Sequence, residues 1–164
     1  MKVFIFLFLM IAGSALADAG KFSFVTEQLS LEGAMEVARH AQKAAKKLNK
    51  TISLAIVGSQ GETILLLKGD GVGPHNTEAA RRKAYTALST KTSTLELSRK
   101  AQRNPDTVNL AELPELLLLS GGYPIWKGGI VIGAVGVAGG GSPENDDVIA
   151  MEAGVFFAGR LKKK

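Results

Sequence analysis

The chain of 164 residues contains no cysteine. Disulfides, thiolate chemistry, iron–sulfur clusters and cysteine-ligated zinc are therefore excluded. A chain of this length buries enough apolar surface to fold without cross-links. Histidine is nearly absent, with His40 and His75 the two in the chain. No H-x-x-x-H, H-E-x-x-H or EF-hand pattern occurs, so no metal site follows from spacing alone. Aromatic residues make up 6%, few for stacking bases, and nucleic acid is not an expected partner. G-x-S-x-G is missing too: Gly140-Gly141-Ser142-Pro143-Glu144 fails at its last position, which removes the nucleophile elbow. The glycines from Gly133 to Gly141 do not make G-x-G-x-x-G, because Glu144 stands where the last glycine belongs. The helix expected after them opens with carboxylates, which would repel a bound phosphate.

What is present begins with "MKVFIFLFLMIAGSALA", residues 1–17. Lys2, an apolar run from Val3 to Ile11, and the exit Ala15-Leu16-Ala17 read as a cleaved secretory signal peptide. The run is short of the roughly 20 residues a membrane span needs, and no later segment reaches that length. The expectation is a periplasmic or secreted protein that is not membrane-spanning. Residues 18–28 form its leader and residues 29–164 a single domain. Net charge is +5, partly from Lys43, Lys46, Lys47 and Lys50 and partly from the tail Lys162-Lys163-Lys164. Both groups read as solvated helix ends, where cations meet the negative end of the dipole.

Hydrophobic periodicity orders the rest. "LSLEGAMEVARHAQKAAKKLNK" predicts a helix capped by Ser30, with Leu31, Ala34, Met35, Ala38, Ala41, Ala45 and Leu48 inward. His40 then falls on the wet face with Glu36, Lys43 and Lys47. Alternation at Ile52, Leu54 and Ile56, a turn over Gly58 to Gly61, and the run Thr63 to Leu67 predict a β-hairpin. "GDGVGPHN" reads as a loop containing His75, with Asn76 or Thr77 capping the next helix. A further helix stops at Asn104-Pro105. "LPELLLLSGGYPIWKGGIVIGAVGVAGGG" predicts about three short strands, its small residues marking where another backbone comes close. A last helix is capped by Ser142, with Pro143 at its first position and Glu144, Asp146 and Asp147 in its early turns. Hairpin-joined strands flanked by helices make an α+β domain around an antiparallel sheet.

The residues also allow tetrapyrrole binding, although many proteins hold the same inventory. A tetrapyrrole needs an axial donor, an apolar face, and cations for its carboxylates. His75, Arg81, Arg82, Lys83, Tyr85 and the apolar sheet residues supply that inventory, with His75 the first candidate for iron. The competing reading makes His75 a turn residue, and Arg81, Arg82 and Lys83 a solvated flank. His40 is either an interface ligand or a solvated helix residue. Met35 and Met151 read as core.

Three stretches carry a resemblance. They are residues 29–62, the loop and helix "DGVGPHNTEAARRKAYTAL", and "GGYPIWKGGIVIGAVGVAGGGSPENDDVIAMEAG". Together they are similar to the GlcG/HbpS family of haem-binding proteins, to which the C-terminal domain of the propanediol-utilisation corrinoid adenosyltransferase belongs. The resemblance implies a profilin-like domain, with a central five-stranded antiparallel sheet and helices on its faces. It implies an exported homo-oligomer that binds haem (or a corrinoid) without catalysis, for storage, delivery or sensing with a membrane sensor partner. The alternatives are a cofactor-free interaction module, or an accessory protein of glycolate or diol metabolism. Many members carry V-V-D-x-x-G in the first hairpin. Here Ile56-Val57-Gly58-Ser59-Gln60-Gly61 lacks the aspartate.

Overall fold

The serine caps predicted at Ser30 and Ser142 form, and Ser93 makes a further one. In the computed structural model, which describes residues 22–160, Ser30 Oγ accepts from the Gly33 N–H at 3.1 Å and opens α1 (Leu31–Lys47). Ser93 does the same for α3 (Thr94–Arg103), and Ser142 for α4 (Pro143–Arg160). Each cap satisfies a backbone donor that the first turn leaves without an acceptor. α1 stops at Leu48, and Asn49 follows at φ 52°, a left-handed position that asparagine tolerates.

The second helix departs from expectation. α2 (His75–Thr90) starts at His75 after Pro74, with no side-chain cap. Asn76 instead donates its side-chain N–H to the Gly73 carbonyl at 3.2 Å. His75 is thus the first helical residue, exposed, and not part of the loop.

Among the described residues there are four strands: β1 (Ser53–Gly58), β2 (Thr63–Leu67), β3 (Gly122–Lys127) and β4 (Ile130–Ala138). They pair antiparallel in the order β2-β1-β4-β3. The expected five are therefore not reached within these residues. The leucine run before Gly121 makes no strand. Its backbone is held on α2 by side chains: the Leu117 N–H donates to Thr86 Oγ1, and Arg82 donates to the Leu116 carbonyl. At the opposite side the Leu29 N–H donates once to the Ile132 carbonyl at 3.0 Å, a single bond at the point where β1 ends.

Helices cover both faces of the sheet, so β1 is buried throughout and does not alternate. The faces differ in size. Leu54, Ile56, Ile125, Val135 and Val137 meet the alanines of α1 and Ile149, Ala150 and Ala153 of α4. Ala55, Val57, Ala134 and Ala138 meet Ala80, Ala84 and Ala87 of α2. Small residues on both sides of this second layer let α2 lie directly on the sheet. A Cβ at Gly136 would stand 2.0 Å from the Ala80 carbonyl oxygen, and one at Gly122 would stand 2.3 Å from that of Lys83. The expectation that the small residues of β4 admit a close backbone is met at Gly136.

The inward face of α1 is rotated from its predicted position. Gly33, Ala34, Val37, Ala38, Ala41, Ala44 and Ala45 are buried. Leu31, Met35 and Leu48 are exposed, as is Met151 of α4. Met35 and Met151 are therefore surface residues, not core.

Candidate functional site

α1 and α4 run antiparallel over one face of the sheet. Gly33 lies against Phe157, His40 against Phe156, and Lys47 against Glu152. Alanines on α1 bring the helices close, and the longer side chains on their outer flanks bound a groove of about 510 Å³. That volume is within the range of small-molecule sites, about 300–1,000 Å³. Its walls are apolar: Ala44, Met151, Val155 and Phe156. Met151 is 41% and Val155 51% exposed, so apolar surface is left uncovered here. His40, Lys43, Lys47 and Glu152 supply the polar groups.

His40 is not the solvated residue that the wet-face reading describes. Its ring stacks on Phe156, centroids 3.3 Å apart and planes 13° from parallel. Nδ1 lies 3.0 Å from the Glu36 carbonyl oxygen. A carbonyl only accepts, so the bond requires the proton on Nδ1, and in the neutral ring Nε2 then carries the lone pair. Metal-binding imidazoles are commonly fixed in this way by a backbone carbonyl. Stacking covers a ring face, while ligation uses the ring plane, so Phe156 orients the imidazole without blocking Nε2. Lys47 Nζ donates to Glu152 Oε2 at 2.9 Å and joins the two helices. An axial donor, apolar walls and two ammonium groups make this groove fit an iron porphyrin.

The other sequence candidates lie elsewhere and do not converge. His75 is exposed at the start of α2, beside Gly73. Arg81 is committed to Glu78 at 2.7 Å and to Glu115 at 2.9 Å. These carboxylates raise the Arg81 pKa, and the Arg81 bond lowers that of Glu78. Tyr85 packs over Gly61 and borders a separate cleft with Ser59 and Lys91. Lys83 is 1% exposed. Its Nζ donates to Asp146 Oδ2 and to the Val137 carbonyl, each at 2.8 Å, so it is a buried structural cation with no ligand role open to it. Lys43, Lys47, Met151, Val155 and Phe156 were the residues missed. Their signal was faint: a lysine pair four apart on the flank that carries His40.

Asp146 and Asp147 diverge, as helix neighbours must. Asp146 turns inward to Lys83, while one oxygen of Asp147 is buried with no hydrogen-bond partner. Burial pushes the Asp147 carboxyl above the usual aspartate range, with Arg99 opposing. A raised acid binds protons more tightly in the folded state, so stability falls as pH rises from the ordinary aspartate value through the raised one. Asp147→Asn is accordingly expected to raise the thermal midpoint at pH 7 and to change nothing in acid below the ordinary aspartate value. A lowered midpoint at pH 7 would show that the carboxylate has a partner in solution. Among the described residues no three histidine, aspartate or glutamate side chains gather as a metal cluster. None of the helices there is long and apolar enough to cross a membrane.

Comparison with known proteins agrees with the fold. The family described as haem degrading protein HbpS-like matches residues 29–154. A crystal structure of a double mutant of HbpS from Streptomyces reticuli superposes with a TM-score of 0.75 at 35% identity, covering 82% of this chain and 90% of that one. A crystal structure of a PduOC:haem complex superposes with a TM-score of 0.69 at 30% identity, covering 78% and 94%. The corrinoid adenosyltransferase PduO of Salmonella typhimurium is 34% identical over 128 residues, 76% of this chain. The match spans 38% of that enzyme's length.

Proposed function

The chain belongs to the HbpS-like family, and on that premise we propose that it binds haem in the groove between α1 and α4. The observation that carries the reading is His40, held by the Glu36 carbonyl and Phe156 with Nε2 left to ligate. In that role His40 holds the iron, and Ala44, Met151, Val155 and Phe156 cover the ring. Lys43 and Lys47 take the carboxylates. Bound haem would supply an iron centre for ligand binding or electron exchange. The haem complex of PduOC, a similar fold, supports the ligand. Haem is preferred to a corrinoid, since that link comes only through the name of the adenosyltransferase.

The wider role is storage, delivery or sensing by an exported homo-oligomer, with a membrane sensor as the partner in the sensing case. Export rests on residues 1–17, which lie outside the described residues. A second reading, haem turnover, is favoured by the description of the family as haem degrading.

Titration of the chain from Asp18 onward with haemin, followed in the Soret region, tests the site. A saturable band is expected, with His40→Ala weakening affinity at least about tenfold, the scale on which loss of a ligand-orienting contact already acts. His75→Ala is expected to leave the titration unchanged. Absence of a saturable band would sink the proposal. A band lost when a reductant is added in air, but kept as a ferrous band when the reductant is added without dioxygen, would favour turnover over carriage.

A further inference from the structure

We infer that Glu152 stands in, on Lys47, for a carboxylate of the ligand, so that the groove selects macrocycles with free carboxylates and Glu152 limits how tightly they bind. This rests on the groove being the porphyrin site. Lys43 and Lys47 are four residues apart and share one flank of α1. Both border the groove, and Glu152 is the acidic side chain facing them there. Lys47 is bonded to Glu152 at 2.9 Å, while Lys43 has no carboxylate partner among the described residues. Among the described residues the groove therefore carries two ammonium groups and one carboxylate, a surplus positive charge against an apolar wall.

The bond between Lys47 and Glu152 is exposed, its side chains 60% and 42% accessible. Such pairs contribute little and exchange readily. An incoming dicarboxylate can take Lys43 directly and Lys47 by exchange. Glu152 then remains beside it as a like charge. A macrocycle edged with neutral esters gains no charge attraction from either ammonium and meets no charge repulsion at Glu152. The selection is thus between charged and neutral edges, whatever metal the ring holds.

Metal-free protoporphyrin IX and its dimethyl ester, titrated by fluorescence into the chain from Asp18 onward, separate these contributions from iron ligation. Glu152→Gln is expected to tighten protoporphyrin binding about two- to fivefold at low salt, and Lys47→Gln to weaken it by a similar factor. Both effects are expected to shrink in salt. The ester is expected to bind the parent and both variants alike. Glu152→Gln that leaves protoporphyrin affinity unchanged or weaker would overturn the inference, as would an equal change for the ester. If haemin binding still depends on His40 in that case, the groove stands as the site and only the role of Glu152 falls. Val155→Asp places a charge on the exposed wall, and a protoporphyrin titration indifferent to it would remove groove and inference together.

Discussion

Lys83→Ala is expected to lower folding stability by about 3–5 kcal/mol, the scale for breaking one side of a buried ion pair. Lys83 is 1% exposed and lies between α2, the end of β4 and the first turn of α4. Burial holds its ammonium below the ordinary lysine range, with Asp146 pulling the other way. Without Lys83, the Asp146 carboxylate keeps one bond, from the Gly140 N–H at 2.8 Å, and loses its counter-charge where it is only 7% exposed. The Val137 carbonyl loses a donor as well. Adding Asp146→Asn to Lys83→Met is expected to recover part of the loss. Asparagine still accepts from Gly140, and no unpaired charge is then buried. Urea unfolding of the single and double variants measures both quantities. A loss under about 1 kcal/mol for Lys83→Ala is the size expected of an exposed pair, and would mean that this pair is open to water in solution.

Gly136→Ala is expected to cost on the order of 3 kcal/mol, at the upper end for overpacking. The added carbon would meet the Ala80 carbonyl oxygen at 2.0 Å and the Ala84 nitrogen at 2.6 Å. Both are backbone atoms of α2, so no rotamer change relieves the contact. The helix must lift from β4 or the strand must bend. Gly159→Ala is the control: among the described residues, nothing beyond its own stretch of helix lies within 4 Å of a carbon added there, and alanine is the better helix former. Thermal unfolding should separate the two by sign. Comparable midpoints would show that the sheet and α2 are further apart than described.

Most of the secondary structure was legible in residue order. Ser30 and Ser142 cap helices because a hydroxyl before an apolar-periodic run has free backbone donors to satisfy. The hairpins at Gly58–Gly61 and Gly128–Gly129 followed from glycine, and Gly61, Gly128 and Gly129 do adopt positive φ. The start of α2 was misplaced because Asn76 turned its amide back to Gly73. The leucine run read as a strand because periodicity cannot tell a ladder from a segment pinned by Thr86 and Arg82. Leu31 and Met35 were placed inside on hydrophobicity. The alanines and Val37 hold that position because a second helix comes close, and only small side chains fit there.

By itself the sequence determined the α+β class, the family, the caps at Ser30 and Ser142, the close packing at Gly136 and the short inventory of donors. Those follow from local rules, in which a residue acts on its own backbone or repeats with the period of its element. Tertiary structure decided which donors meet. It buried Lys83 against Asp146, spent Arg81 on Glu78 and Glu115, and left His75 alone at a helix start. It brought His40, from one end of the chain, against Phe156, from the other, beside two lysines that had looked like a solvated helix end. The physical reason is that a site is a set of distances between elements, and these depend on how closely α1 and α4 pack on one face of the sheet.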